Sequence, residues 1–124
     1  MPNVLERLEL IRKTNANWDG YRADAPNSDC VDAAIRLWQQ HAEIRQLGSP
    51  YLMPTRTGGV LFAWHVGPHQ LDIEVDSPTQ GGFAYLNTET DEATEGDFVL
   101  GTTLTRLPQE LESIIAENLI LIHA

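Results

Sequence analysis

Three carboxylates at alternate positions, Asp72, Glu74 and Asp76, are the sharpest chemical feature of this chain. They interleave with Leu71, Ile73 and Val75. That period of two is the pattern of a strand with one buried and one wet face. On a regular strand, residues two apart on one face lie about 6.7 Å from each other. Two carboxylates at that distance cannot share a proton, so a tuned acid/base dyad is not expected within the row. His65 is the nearest candidate partner. A turn at Gly67–Gln70 would set residues near 65 against residues near 72. His65 with Asp72 or Glu74 would then form a metal or acid/base site, or simply a cross-strand contact on a polar face, the simpler expectation.

A second acidic stretch follows. Glu89, Asp91, Glu92, Glu95 and Asp97 fall within nine residues. They lack the fixed spacing, central glycine and terminal Glu of a calcium loop. A solvated loop or a docking surface for a basic protein is the expectation. Cys30 is the lone cysteine, so no internal disulfide can form. It falls in the first turn of a helix, where the dipole would favour a thiolate. No histidine stands in a visible relation to it, and it reads as a small buried hydrophobe. Trp18 and Tyr21 flank an Asp-Gly turn. They are expected either to pin that loop over the core or to form an exposed contact point for a partner. No phosphate loop, CxxC, HExxH or GxSxG is present. No catalytic residue, metal ligand or cofactor is expected.

Charge is unevenly distributed. The net charge is −10. Residues 1–56 balance, whereas residues 57–105 hold eight acids and no Lys or Arg. Such a segment repels nucleic acid and anionic membrane and attracts a basic partner. The longest apolar run, Leu119 to Ile122, is too short to cross a bilayer, and the N-terminus lacks a signal-peptide pattern. The expected location is the cytoplasm.

The elements that must carry these residues follow from periodicity. A capping-box spacing, Asn3 with Glu6, opens a first helix that should stop by Asn15. A second helix is expected from Asp29 to Gln46, capped by Asn27 or Ser28. Its buried face would be Val31, Ala34, Ile35, Trp38 and Ala42, with Gly48 as its stop. The period then changes to two. Strands are expected at Tyr51–Arg56, Val60–Val66, Gln70–Asp76 and Gly82–Thr88, separated by short turns. Pro54 places the first of these at an edge. Glu89 to Gly101 reads as a loop. A last helix starts at Pro108. Leu119 to Ile122 fits either its continuation or a final strand. The expected fold is a single α+β domain spanning 1–124, an antiparallel four-stranded meander packed against two N-terminal helices and one C-terminal helix.

Two segments carry a resemblance. Asn17-Trp18-Asp19-Gly20-Tyr21, with Pro26 behind it, is one. Pro54-Thr55-Arg56-Thr57-Gly58-Gly59-Val60-Leu61-Phe62-Ala63-Trp64, followed by Leu71-Asp72-Ile73-Glu74-Val75, is the other. Together they resemble a loose family of small uncharacterised bacterial and phage proteins with an N-W-D-x-Y loop and a P-T-x-x-G-G-V-x-F-x-W strand. The resemblance covers residues 17 to about 76. Gly-Ala usually follows the Tyr in that family, where Arg22-Ala23 stands here. The resemblance implies the same fold and a bacterial or phage origin, and supplies no catalytic residues.

Three functions fit these expectations. One is a non-enzymatic acidic binding protein that neutralises or inhibits a basic macromolecular partner, as an antitoxin, immunity protein or phage inhibitor does. Its contact residues would be Asp72, Glu74, Asp76, Glu89, Asp91, Glu92, Glu95, Asp97, Trp18 and Tyr21. Another is a nucleic-acid mimic that blocks a nucleic-acid-binding complex such as a defence system. The third is the metal or acid/base site around His65.

Overall fold

A computed structural model describes residues 3–100 and 107–119. Helix α1 (Val4–Arg12) opens on Asn3, whose side-chain oxygen accepts from the Glu6 backbone N–H at 2.9 Å. Its stripe of Val4, Leu8 and Ile11 is buried. Helix α2 (Ser28–Gln40) is capped by Asn27, which accepts from the N–H groups of Asp29 and Cys30.

The single helix expected to reach Gln46 is interrupted. His41 is extended (φ −119°, ψ 94°), and a short helix α3 (Ala42–Arg45) follows. The break leaves carbonyls at the end of α2 without helical partners. Arg45 turns back and donates to the carbonyls of Trp38 and Gln39, both at 2.6 Å. The break also changes which residues face inward. Ala42 is exposed and Leu37 is buried. Gly48, at φ +90°, then reverses the chain.

The sheet has five antiparallel strands rather than four. They are β1 (Tyr51–Pro54), β2 (Val60–Val66), β3 (His69–Ser77), β4 (Gln80–Asn87) and β5 (Ala93–Val99), in that spatial order. The acidic stretch read as a loop from Glu89 is therefore a five-residue turn and an edge strand. Alternation fails as a signal in β5 because its inward positions are Thr94, Gly96 and Phe98. A Cβ at Gly96 would lie 2.9 Å from the Phe83 ring. The aromatic on β4 occupies the space that a β5 side chain would fill.

The inner face of β2–β4 is continuous with the helices. Phe62, Trp64, Leu71, Ile73, Val75, Phe83 and Tyr85 share one buried cluster with α1 and α2 and with Leu111, Ile114 and Ile115. Phe62 stacks between Trp38 and Trp64, with centroids 6.5 and 6.1 Å away. The Trp64 indole N–H donates to the Gly48 carbonyl at 3.0 Å. Helix α4 (Gln109–Ile114) follows Pro108, which sits at the cap position rather than in the first turn, and passes into a π-turn (Ile115–Leu119). The alternatives for the tail beyond Leu119 fall on residues 120–124, outside the described residues.

Candidate partner-binding surface

The strand register decides what the outward side chains face. On the outer side of the sheet, Glu74 stands opposite Gly82, and Gly82 opposite Asp97. Asp72 stands opposite Ala84, and Ala84 opposite Glu95. Two acidic rows, on β3 and β5, thus face each other across β4. Two strand spacings separate them, about 10 Å. The strand between them carries only a hydrogen and a methyl group at these positions. The result is a cleft of about 640 Å³, floored by Gly82 and Ala84 and walled by Asp72, Glu74, Asp76, Glu95 and Asp97. None of the ion pairs among the described residues includes these five acids.

Asp76 departs from the regular spacing. The β3–β4 register shifts between Val75 and Ser77, so Asp76 is the extra residue of a bulge. Its carbonyl points inward, 3.8 Å from the Cys30 thiol. Its carboxyl comes close enough to hydrogen-bond Glu74. The Glu74 carboxyl is pushed up by burial, then by the charge of Asp76, the hydrogen bond to Asp76 and the charge of Asp72.

The other expected site residues are elsewhere. Glu89, Asp91 and Glu92 form the β4–β5 turn, with Asp91 at φ +60° and the Asn87 side chain accepting from the N–H groups of Glu89 and Thr90. Trp18 and Tyr21 lie in the loop between α1 and α2. That loop is tied to the β1–β2 turn, at the opposite end of the sheet. Asp19 accepts from the backbone N–H of Tyr21 at 2.8 Å and of Ala23 at 3.2 Å, and pairs with Arg56 at 2.8 Å. Burial acts upward on the Asp19 carboxyl, but these two N–H groups and Arg56 outweigh it and hold its pKa down. The Trp18 indole donates to the Asp24 carbonyl. Polar bonds rather than buried rings fix the loop. Tyr21 is 77% exposed and does not pin it to the core.

Arg22 in this loop is left-handed, at φ +65°. Its N–H is held by the Asn17 side chain at 2.8 Å. A non-glycine residue pays about 1–2 kcal/mol in that region, and glycine loses part of this gain through chain entropy. Arg22→Gly is therefore expected to stabilise the protein by about 0.5 kcal/mol. Urea unfolding of the two proteins measures this, and a destabilised variant would contradict it.

His65 does not meet the carboxylate row as expected. The β2–β3 turn is tight, with Val66 paired to His69, so His65 stands opposite Gln70 and Asp72 opposite Ala63. The His65 ring is exposed and lies 6.5 Å from Tyr51. Among the described residues no three His, Cys, Asp or Glu side chains are grouped to hold a metal ion. Cys30 is 2% exposed, and burial followed by the charges of Asp29 and Asp76 pushes its thiol up. That is the inert rather than the nucleophilic pattern.

The floor of the cleft was missed by sequence reasoning. The signal was present as small residues, Gly82 and Ala84, at the wet positions of an alternating strand. No helix of the described residues is long and apolar enough to cross a membrane. Comparison with family models, with curated proteins and with solved structures finds no match.

Proposed function

We propose that the protein is a non-enzymatic cytoplasmic binding protein that neutralises a basic macromolecular partner, in the manner of an antitoxin, immunity protein or phage inhibitor. The observation that carries this reading is the pair of acidic rows facing each other over Gly82 and Ala84. A Lys or Arg side chain entering the trough meets carboxylates on both sides and no steric obstacle below. The segment that builds it holds no Lys or Arg, so its field is not cancelled locally. Glu89, Asp91 and Glu92 extend the field beyond one end of the sheet and would raise the association rate. Trp18 and Tyr21, at the other end, would serve as a second contact.

Mimicry of nucleic acid is the second reading. Two parallel acidic rows favour it. Charge density weighs against it, because a row with one carboxylate about every 6.7 Å is half as dense as one DNA strand at about 3.4 Å per phosphate. The reading with His65 as a ligand or base has no such support, given the register. The resemblance of residues 17–76 is consistent with a bacterial or phage setting.

Glu74→Lys/Asp97→Lys reverses one residue in each row. Capture of a basic protein from bacterial lysate by the wild-type protein, and its loss with this variant, is the expected result. Unchanged capture would eliminate the surface. A captured partner that still binds duplex DNA at saturation would end the mimicry reading.

A further inference from the structure

The outer face of the sheet is not uniformly acidic. β1 and β2 bring Tyr51, Met53 and Leu61 to it. Tyr51 is 69% exposed and Met53 47%. The register joins these residues to the acids. One row across the sheet reads Met53, Leu61, Glu74, Gly82, Asp97, and the next reads Tyr51, Ala63, Asp72, Ala84, Glu95. Each row runs from apolar to acidic. Exposed apolar side chains grouped beside a charged rim mark protein contact surfaces, and a thioether among them adapts to a partner's shape. No described element covers this face, since its side chains remain exposed or half-exposed except Ala63.

We propose that this face docks one amphipathic helix of a partner protein, with an apolar stripe on Tyr51, Met53 and Leu61 and a flanking basic stripe over the Gly82–Ala84 trough. The proposal rests on the basic-partner reading. It adds that the apolar and basic groups belong to the same element. Charge complementarity sets the basic side of that element, and the exposed β1–β2 side chains set the apolar side.

The dimensions agree. Five strands about 4.8 Å apart span about 19 Å. A helix about 10–12 Å across therefore covers β1–β3 while its basic flank overhangs β4. Added strands fit less well. The β5 edge carries Glu95 and Asp97, and β1 ends in Pro54, both of which oppose strand pairing. A helix layered on the face of an antiparallel sheet is one of the stable packing arrangements.

The test uses a fluorescently labelled, amidated peptide of about 18 residues, long enough to run about 27 Å along the sheet. It carries a leucine stripe flanked by a lysine stripe. A second peptide has the same composition, shuffled so that both stripes are broken. Anisotropy titrations at low salt are expected to show the patterned peptide binding about tenfold tighter than the shuffled one. Tyr51→Ser/Met53→Ser should erase that difference without weakening the shuffled peptide. Glu74→Lys/Asp97→Lys should weaken both. Equal binding of the two peptides by the wild-type protein overturns the helix proposal and needs no variant. So does retention of the preference by Tyr51→Ser/Met53→Ser. In either case, loss of binding in Glu74→Lys/Asp97→Lys leaves the basic-partner reading standing. If neither peptide binds, or if the charge-reversed protein binds as well as wild type, both readings fail.

Discussion

Replacing Gly59 with alanine is expected to destabilise the protein by about 3 kcal/mol or more, at the upper end of the overpacking range. A Cβ at this position would lie 2.3 Å from the Val75 carbonyl oxygen and 3.0 Å from the Thr55 hydroxyl. The hydroxyl belongs to a side chain and can move. The carbonyl cannot move cheaply. Val75 is fully buried in β3 and paired on both sides, to Val60 and to Gly81. It also adjoins the bulge, so any shift there disturbs Asp76 and the cleft. Gly59 itself donates its N–H to Thr55 and anchors the tight β1–β2 turn. The cause is contact rather than backbone conformation, because Gly59 is not among the positive-φ glycines. Thermal unfolding followed by circular dichroism should show a fall of about 10 °C or more. A shift under about 2 °C would refute the geometry.

Removing the charge of Glu74 should do the opposite. The carboxyl is pushed up by burial and by Asp76 and Asp72, so the folded state holds its proton more tightly than the unfolded chain does. Between the ordinary carboxylate pKa and the raised one, the folded protein binds more protons. Stability therefore falls as pH rises through that window and stays lowered above it. Glu74→Gln is expected to be more stable than wild type at pH 7, by up to about 1 kcal/mol, the scale of like-charge neighbours on a sheet. The gain should vanish as the wild-type carboxyl protonates in acid. Asp19 works in the other direction. Its lowered pKa gives stability that is lost as pH falls. Asp19→Asn and Glu74→Gln, taken singly, separate the two slopes. Denaturant midpoints at pH 4 and pH 7 measure the effect, and an equal gain at both would refute it. Under the proposed function the same substitution should also weaken binding of a basic partner while it raises stability.

β3 was readable because it has one dry and one wet side, and β2 because its apolar run is bounded by Gly58-Gly59 and Gly67-Pro68. Leu71, Ile73 and Val75 against Asp72 and Glu74 leave only one sensible orientation. β5 was not readable because its inward side chains are small or polar, with Phe83 filling the space over Gly96. The break at His41 was hidden because the apolar period runs through it, and the Arg45 side chain that satisfies the two freed carbonyls has no periodic trace. At the cleft, the types were evident and the arrangement was not. Glu95 and Asp97 are plain as acids in the sequence, but their place opposite Asp72 and Glu74 depends on β4 lying between them. The bulge at Asp76 is a single extra residue that local sequence does not announce.

In the meander, each strand pairs with its neighbour in sequence across a turn of two to five residues. Loop-closure entropy is therefore small at every step after the first hairpin. Pairing can advance from β1 to β5, with each new strand finding a ready template. Such local wiring favours rapid assembly of the sheet for its size. Joining distant parts of the chain falls to the helices that share the core with its inner face and to the α1–α2 loop, which Asp19 and Arg56 tie to the β1–β2 turn.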